Sequence, residues 1–304
     1  MAHQPDIADL KRLLGINLFL NLDGHALENN QQQGLVCSFA GLRLSSVFQA
    51  VATTDGEIIG REALLRAVTP AGEVLSPQAA FAHAIAANKL VSFDRLVRTI
   101  HLFNHANTFG EHELIFLNVH PQLLTSVSDH GRTFERILHY YSVPTSRVVI
   151  EIQESAVKDD VRLEEAVRNY RSLGYKIAID NFGAGRGTNG NLSQPTLEPN
   201  QVNSIEGSSW LNRVLGLQPE FVKLDKSILL SAQHSRTAAY ALHRLTCVLH
   251  SIGSGVQLQS VETPGQLEIA CNAGADLVQG YYFGRPELVS EARGKICRSE
   301  YLAA

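Results

Sequence analysis

From about residue 42 to residue 288 the chain alternates short apolar runs, rich in β-branched residues, with longer stretches whose apolar positions recur every three or four residues. The runs are Leu114–Val119, Arg147–Ile152, Lys176–Asp180, Phe221–Asp225, Gly255–Leu258 and Leu277–Gly280. A continuous apolar run of this length suits a strand buried on both faces. Between two of them, Asp160–Gly174 sets its apolar residues on one helical face and ends on Gly174, a residue suited to closing a helix. Repeated β-then-α units predict a parallel sheet, and an extent of about 250 residues suits an α/β barrel.

The ends read differently. Residues 1–41 open with a helical phrase (Ile7, Leu10, Leu13, Leu14, Ile16) and pass into the polar Glu28–Gly34, whose glutamines at 31–33 read as a flexible join. We therefore expect a helical appendage and linker over 1–41, a barrel over 42–288 and a helical tail over 289–304.

Five strand runs carry an acid, amide or amine at or near their carboxyl ends: Asn118, Glu151, Asp180, Lys223 with Asp225, and Gln259. One such group could simply cap the following helix. A set of five is better explained by convergence, because the strand C-termini of a closed barrel meet at one mouth. With Glu62, the carboxylates Glu151 and Asp180 and the carbonyl of Asn118 form an all-oxygen set suited to Mg²⁺, Mn²⁺ or Ca²⁺. Lys223 and Arg66 are natural phosphate or water partners, so the residue types point to phosphoester chemistry.

The 304 residues, 44% apolar and 18% charged with net charge −4, describe an ordered chain with no Lys/Arg excess. That balance excludes a general nucleic-acid binder, which must neutralise many phosphates, but leaves room for a local phosphate site. The four cysteines, Cys37, Cys247, Cys271 and Cys297, show neither zinc nor disulfide spacing, and Cys247 and Cys271 read as core residues. His101 and His105, spaced i, i+4, and His112 lack an acidic partner at a recognised spacing and read as surface histidines. No secretion-type amino terminus and no membrane-length apolar stretch is present, so a cytoplasmic location without membrane insertion is expected.

The phrase Gly60-Arg-Glu-Ala-Leu-Leu-Arg66 resembles the signature of the EAL domain of bacterial cyclic di-GMP phosphodiesterases. Six further phrases resemble that family in order: Phe116–Pro121, Ile150–Ser155, Leu173–Gly183, Val222–Asp225, Val261–Thr263 and Val278–Pro286. The resemblance implies a modified TIM-type (β/α)8 barrel, with cyclic di-GMP as ligand, cut in active members to pGpG. It implies a first metal site on Glu62, Asn118, Glu151 and Asp180, a water-positioning role for Lys223, and loop-steadying acids at Glu154 and Glu262. Ligand contacts are implied at Gln49, Leu64, Arg66, Gln279, Arg285 and Pro286. The implied cofactor is Mg²⁺ or Mn²⁺, with Ca²⁺ permitting binding while suppressing hydrolysis.

Two departures bear on function. Asn181 and Gln259 stand where the family carries acids that ligate a second metal, with Asp180 shared. Two divalent cations ~4 Å apart repel by on the order of 16 kcal/mol at an effective dielectric of 20. The family sets five carboxylates against that repulsion and this chain three, so we expect at most one tightly bound cation. A catalytically impaired phosphodiesterase acting as a cyclic di-GMP receptor or regulator is the expected function. An active phosphodiesterase and a nucleotide-independent interaction module are the alternatives. The connection from Asp180 to Lys223 is about twenty residues longer than the family's, which suggests contact with a second copy or a partner protein through residues 183–220.

Overall fold

The computed structural model describes residues 10–12, 15, 27–126, 131–157, 161–184 and 209–296. Most of the amino-terminal helical phrase, most of the long 183–220 connection and the tail beyond residue 296 lie outside the described residues. The strands are β1 (Leu27–Asn30), β2 (Gly34–Phe39), β3 (Leu42–Thr53), β4 (Ile58–Val68), β5 (Val74–Leu75), β6 (Leu114–Asn118), β7 (Val148–Gln153), β8 (Lys176–Phe182), β9 (Phe221–Leu224), β10 (Gly255–Gln259) and β11 (Leu277–Gln279). Eight of them close on themselves in the order β3-β11-β10-β9-β8-β7-β6-β4, with β4 pairing back onto β3. The apolar runs read from the sequence are the strands β6 to β11.

The barrel is mixed, which corrects the expectation of a purely parallel sheet. β3 runs antiparallel to both β4 and β11, while β4 and β6 to β11 pair in parallel. The cause is local: only four residues join β3 to β4, and so short a connection returns the chain antiparallel. Gly56, at φ +95°, supplies the left-handed residue of that turn, where Gly56 N–H donates to the Thr53 carbonyl (3.0 Å).

Part of the segment expected to be appendage and linker belongs to the sheet. β1 and β2 form a hairpin joined to β3, and the glutamine run is its turn, where Asn30 Oδ1 accepts from the N–H groups of Gln32 (2.9 Å) and Gln33 (3.0 Å). An edge hairpin with a polar turn has the composition of a linker, hence the misreading.

Outside the barrel lie α1 (Pro77–Ala86), α2 (Leu90–Ala106), α3 (Pro121–Ser126), α4 (Arg132–Tyr140), α5 (Val161–Ser172), α6 (Ser209–Leu217), α7 (Lys226–His234), α8 (Arg236–Ser251), α9 (Pro264–Ala273) and α10 (Val289–Ile296). The main core fills the space between these helices and the strands. α5 is followed by Gly174 at φ +89°, as its sequence suggested. No described helix is long and apolar enough to cross a membrane.

Four side-chain placements differ from the sequence reading. His101 and His105 are buried in α2: Ser46 Oγ and His101 Nδ1 are 2.7 Å apart, and the His105 ring packs beside Phe48 and Phe109. His112 is exposed, as expected. Cys247 and Cys271 are exposed on α8 and α9, because apolar type does not dictate which face of a helix a residue occupies, whereas Cys37 is buried and its thiol pushed up to about 12 by burial.

Inside the barrel, strand alternation stacks two layers. Val51, Phe116, Val149, Ala178 and Leu277 form an apolar floor. Two residues further toward the C-terminal end on β6, β7, β8 and β11, the inward positions become Asn118, Glu151, Asp180 and Gln279. Gly60 helps the floor close: a Cβ there would sit 2.7 Å from the Leu114 carbonyl oxygen and 3.0 Å from the Phe116 ring.

Candidate active site

The polar layer is organised around Lys223, which is fully buried. Its Nζ donates to Glu62 Oε2 (2.9 Å) and Glu151 Oε1 (2.5 Å) and lies 3.4 Å from Asp180 Oδ1. Asn118 Nδ2 bridges the same two glutamates, donating to Glu62 Oε1 (3.1 Å) and Glu151 Oε2 (2.9 Å). Gln279 Nε2 gives Glu62 Oε2 a further donor at 2.9 Å. The structure therefore brings together Glu62, Asn118, Glu151, Asp180 and Lys223, each on a different barrel strand. Among the described residues no three His, Cys, Asp or Glu side chains stand at metal-ligand spacing around one point. The glutamates are turned onto the ammonium and the amide instead.

Charge explains this arrangement. Isolated buried ions cost several kcal/mol each, so three carboxylates and one ammonium must draw together. Burial pushes the Lys223 amine down, but the combined field of Asp180, Glu151 and Glu62 wins and raises it well above the usual lysine range. Burial raises Glu62 too, yet the Lys223 charge and the donors Lys223, Gln279 and Asn118 outweigh it, and the group is held below its ordinary value. Glu151 goes the other way: burial first, then the neighbouring Glu62 charge, raise it well above the carboxylate range despite Lys223. Three carboxylates against one ammonium give a formal −2 only when every group is ionised, and the raised Glu151 favours a proton on the cluster.

Asp180 is handled differently. Asn181 Nδ2 donates to its Oδ2 (2.8 Å) and Gln259 Nε2 to its Oδ1 (2.8 Å). Both amides must turn their NH₂ groups inward, since a carboxylate only accepts. Asn181, near the end of β8, and Ser260, just after β10, have φ +55° and +60°, a left-handed conformation that non-glycine residues adopt at a cost and that clusters at functional sites.

The remaining expected residues fall into two groups. Glu154 Oε2 accepts from Gly183 N–H (2.5 Å), at the start of the long connection. Gln49 lies opposite Glu62 in the β3–β4 register, and its Nε2 donates to the Gly284 carbonyl (3.2 Å). Arg66 is half-buried, burial lowers its guanidinium, and it donates to the Leu65 carbonyl (3.0 Å); Leu64 is half-buried on the same strand. Arg285 is exposed with its guanidinium 4.5 Å from the Tyr281 ring centre, and half-buried Pro286 precedes the Phe48–Glu287 bridge. Glu262 is exposed; its backbone N–H donates to Gln266 Oε1 (2.7 Å) in the capping of α9, and its carboxylate makes no hydrogen bond or ion pair among the described residues. Asp225 is a helix cap, accepting from Ser227 N–H (2.9 Å), so here the capping reading wins over convergence.

One member of the polar layer escaped the sequence reading. Gln257 is fully buried and its Nε2 donates to Gln279 Oε1 (2.8 Å). The available signal was parity, because Gln257 and Gln259 share a strand face.

The family is settled by comparison of the whole sequence. The EAL domain profile matches residues 28–198 and 203–286, and the chain belongs to the EAL domain family. The uncharacterized EAL-domain containing protein YkuI of Bacillus subtilis is 29% identical over 177 residues, covering 57% of this chain and 38% of that protein. The cyclic di-GMP phosphodiesterase NbdA of Pseudomonas aeruginosa is 23% identical over 245 residues, covering 78% of this chain and 28% of that protein. The fold matches that of Klebsiella pneumoniae BlrP1, solved as a manganese/cy-diGMP complex, with TM-score 0.64 at 23% identity over 87% of this chain and 59% of that one. The chain thus spans well under half the length of these two curated relatives.

Proposed function

We propose that this barrel binds cyclic di-GMP at its C-terminal mouth and hydrolyses it slowly at best, serving as a receptor or regulator in cytoplasmic cyclic di-GMP signalling. The observation that carries the reading is the pair of amide donors on Asp180: both its oxygens are taken by Asn181 and Gln259, whose dipoles stand where the family resemblance implies the ligands of a second metal. Those amides stabilise Asp180 without adding negative charge.

The remaining donor set fits one hard cation. Glu62, Asn118, Glu151 and Asp180 would hold it, the formal −2 of the fully ionised cluster matches one divalent charge, and all donors are oxygen once the Asn118 amide turns. Such a cation, when bound, supplies charge stabilisation of a phosphoryl oxygen and acidifies a water. Mg²⁺ or Mn²⁺ suits the reaction and Ca²⁺ suits binding without it. Lys223 would hold the attacking water, with its own charge kept by the surrounding carboxylates. Gln49, Arg66, Gln279 and the Arg285–Pro286 loop would contact the nucleotide.

The test is to incubate the pure protein with cyclic di-GMP and Mg²⁺ or Mn²⁺ and follow pGpG, alongside calorimetry in Ca²⁺. Binding without product supports the receptor. Turnover near one per second overturns it in favour of an active phosphodiesterase, and absence of binding points to an interaction module.

A further inference from the structure

The barrel interior contains an amide whose presence the packing does not explain. Gln257 is fully buried on β10, opposite Lys223 in the β9–β10 register, and among the described residues its Oε1 has no hydrogen-bond partner. Its neighbours Val256 and Leu258 are buried apolar residues. A buried carbonyl oxygen without a partner costs free energy that an apolar side chain of similar volume avoids.

What Gln257 does supply is direction. Its Nε2 donates to Gln279 Oε1 at 2.8 Å, and Gln279 in turn points its own Nε2 at Glu62 Oε2 (2.9 Å) and at Gln49 Oε1 (3.4 Å). Gln49 closes the series by donating to the Gly284 carbonyl at 3.2 Å. An amide has one accepting and one donating end, so a donor fixed on Gln279 Oε1 forces the NH₂ toward Glu62. Without that donor, Gln279 can turn its oxygen toward Lys223 or another donor, and the series to Gly284 loses its polarity.

We infer that Gln257 is a positioning residue, which sets the orientation of Gln279 and through it both Glu62 and the loop that carries Gly284. The inference rests on the proposed binding of a cation and cyclic di-GMP at this mouth. Groups that orient metal-binding side chains typically change affinity by about 10- to 100-fold when removed.

Gln257→Leu keeps the volume and removes the amide. In the 304-residue chain we expect cyclic di-GMP affinity in Ca²⁺, measured by calorimetry, to fall about tenfold, and Mn²⁺ affinity, measured by electron paramagnetic resonance, to fall at least several-fold. The melting temperature should stay within about 2 °C, because one unpartnered oxygen is lost as another, Gln279 Oε1, is created. Gln279→Leu and the Gln257→Leu/Gln279→Leu double variant should bind equally, since the first residue acts through the second. A Gln257→Leu protein that binds both ligands within twofold of the unmodified chain overturns the inference, as do losses at 257 and 279 that multiply. If the unmodified protein binds Mn²⁺ but no cyclic di-GMP, the proposed function falls while the Mn²⁺ arm still decides the role of Gln257. Failure to bind either overturns both.

Discussion

The two halves of the mouth neutralise buried carboxylates by different means. On one side Glu62 and Glu151 share the Lys223 ammonium and the Asn118 amide. On the other, Asp180 is 3.4 Å from that ammonium and takes its close donors from Asn181 and Gln259. The ammonium adds a positive charge to the cluster, whereas the amide dipoles hold Asp180 without changing the cluster's net charge. The first half is thus held by a charge and the second by dipoles alone, and the proposal of one cation rather than two rests on that difference.

The comparison is broken most severely at Lys223. Lys223→Met leaves three carboxylates without their cation, and loss of one partner from a buried charge cluster costs about 3–5 kcal/mol. The melting temperature should fall by roughly 10 °C in chelator and recover largely when Mn²⁺ is added; a drop of only a degree or two in chelator contradicts the charge account.

Converting the second half into the first is the next largest effect. Asn181→Asp with Gln259→Glu replaces two charge-assisted donors, each worth about 1.5–3 kcal/mol, by repulsion. Titrating Mn²⁺ should then show two sites in place of one, with pGpG appearing on addition of cyclic di-GMP. Two bound cations without product would move the blame from missing charge to the long 183–220 connection.

For the unmodified chain, a ligand at 100 times its Kd stabilises by about 2.7 kcal/mol. Saturating Ca²⁺ should therefore raise the melting temperature by several degrees, and Glu62→Gln should abolish the shift. The smallest effect is at Asn181→Gly, which relieves the φ of +55° but removes a donor from Asp180. The net is about 1 kcal/mol of destabilisation, read as a shift of 2–3 °C in a thermal melt; a gain in stability would show that the Asn181 amide contributes nothing to holding Asp180.

Most of the site was legible because the parallel strands of the barrel write it into short phrases, most of them an apolar run ending in a polar residue. Asn118, Glu151, Asp180 and Lys223 come from such phrases, Glu62 comes from the Gly60–Arg66 phrase in the middle of β4, and the structure brings the five together. The rest was hidden where a residue's partner, rather than its type, decides its place. His101 is polar yet buried because Ser46 waits across the β3–α2 interface, and Asp94 and Arg98 are buried because they pair on one turn of α2 (2.5 Å). Gln257 was masked by the apolar residues beside it, and the β1–β2 hairpin by its own polar turn. The direction of the Asn181 and Gln259 amides could not be read from composition, since only the facing carboxylate fixes which end points inward.

The buried histidines carry a consequence for proton linkage. Burial, with Arg66 near His101 and Arg147 and Arg61 near His105, pushes both imidazoles down to about 3. In the unfolded chain they take up protons near pH 6.5, while the folded chain refuses them until about pH 3. Their contribution to stability is whole above pH 6.5 and drains away as the pH falls, by about 2.7 kcal/mol per unit for the pair. Urea midpoints measured between pH 7 and 5 should trace that slope, and His105→Phe, which keeps the ring beside Phe48 and Phe109, should halve it. Acid thus weakens this barrel through two buried imidazoles that lie outside the polar layer of its mouth.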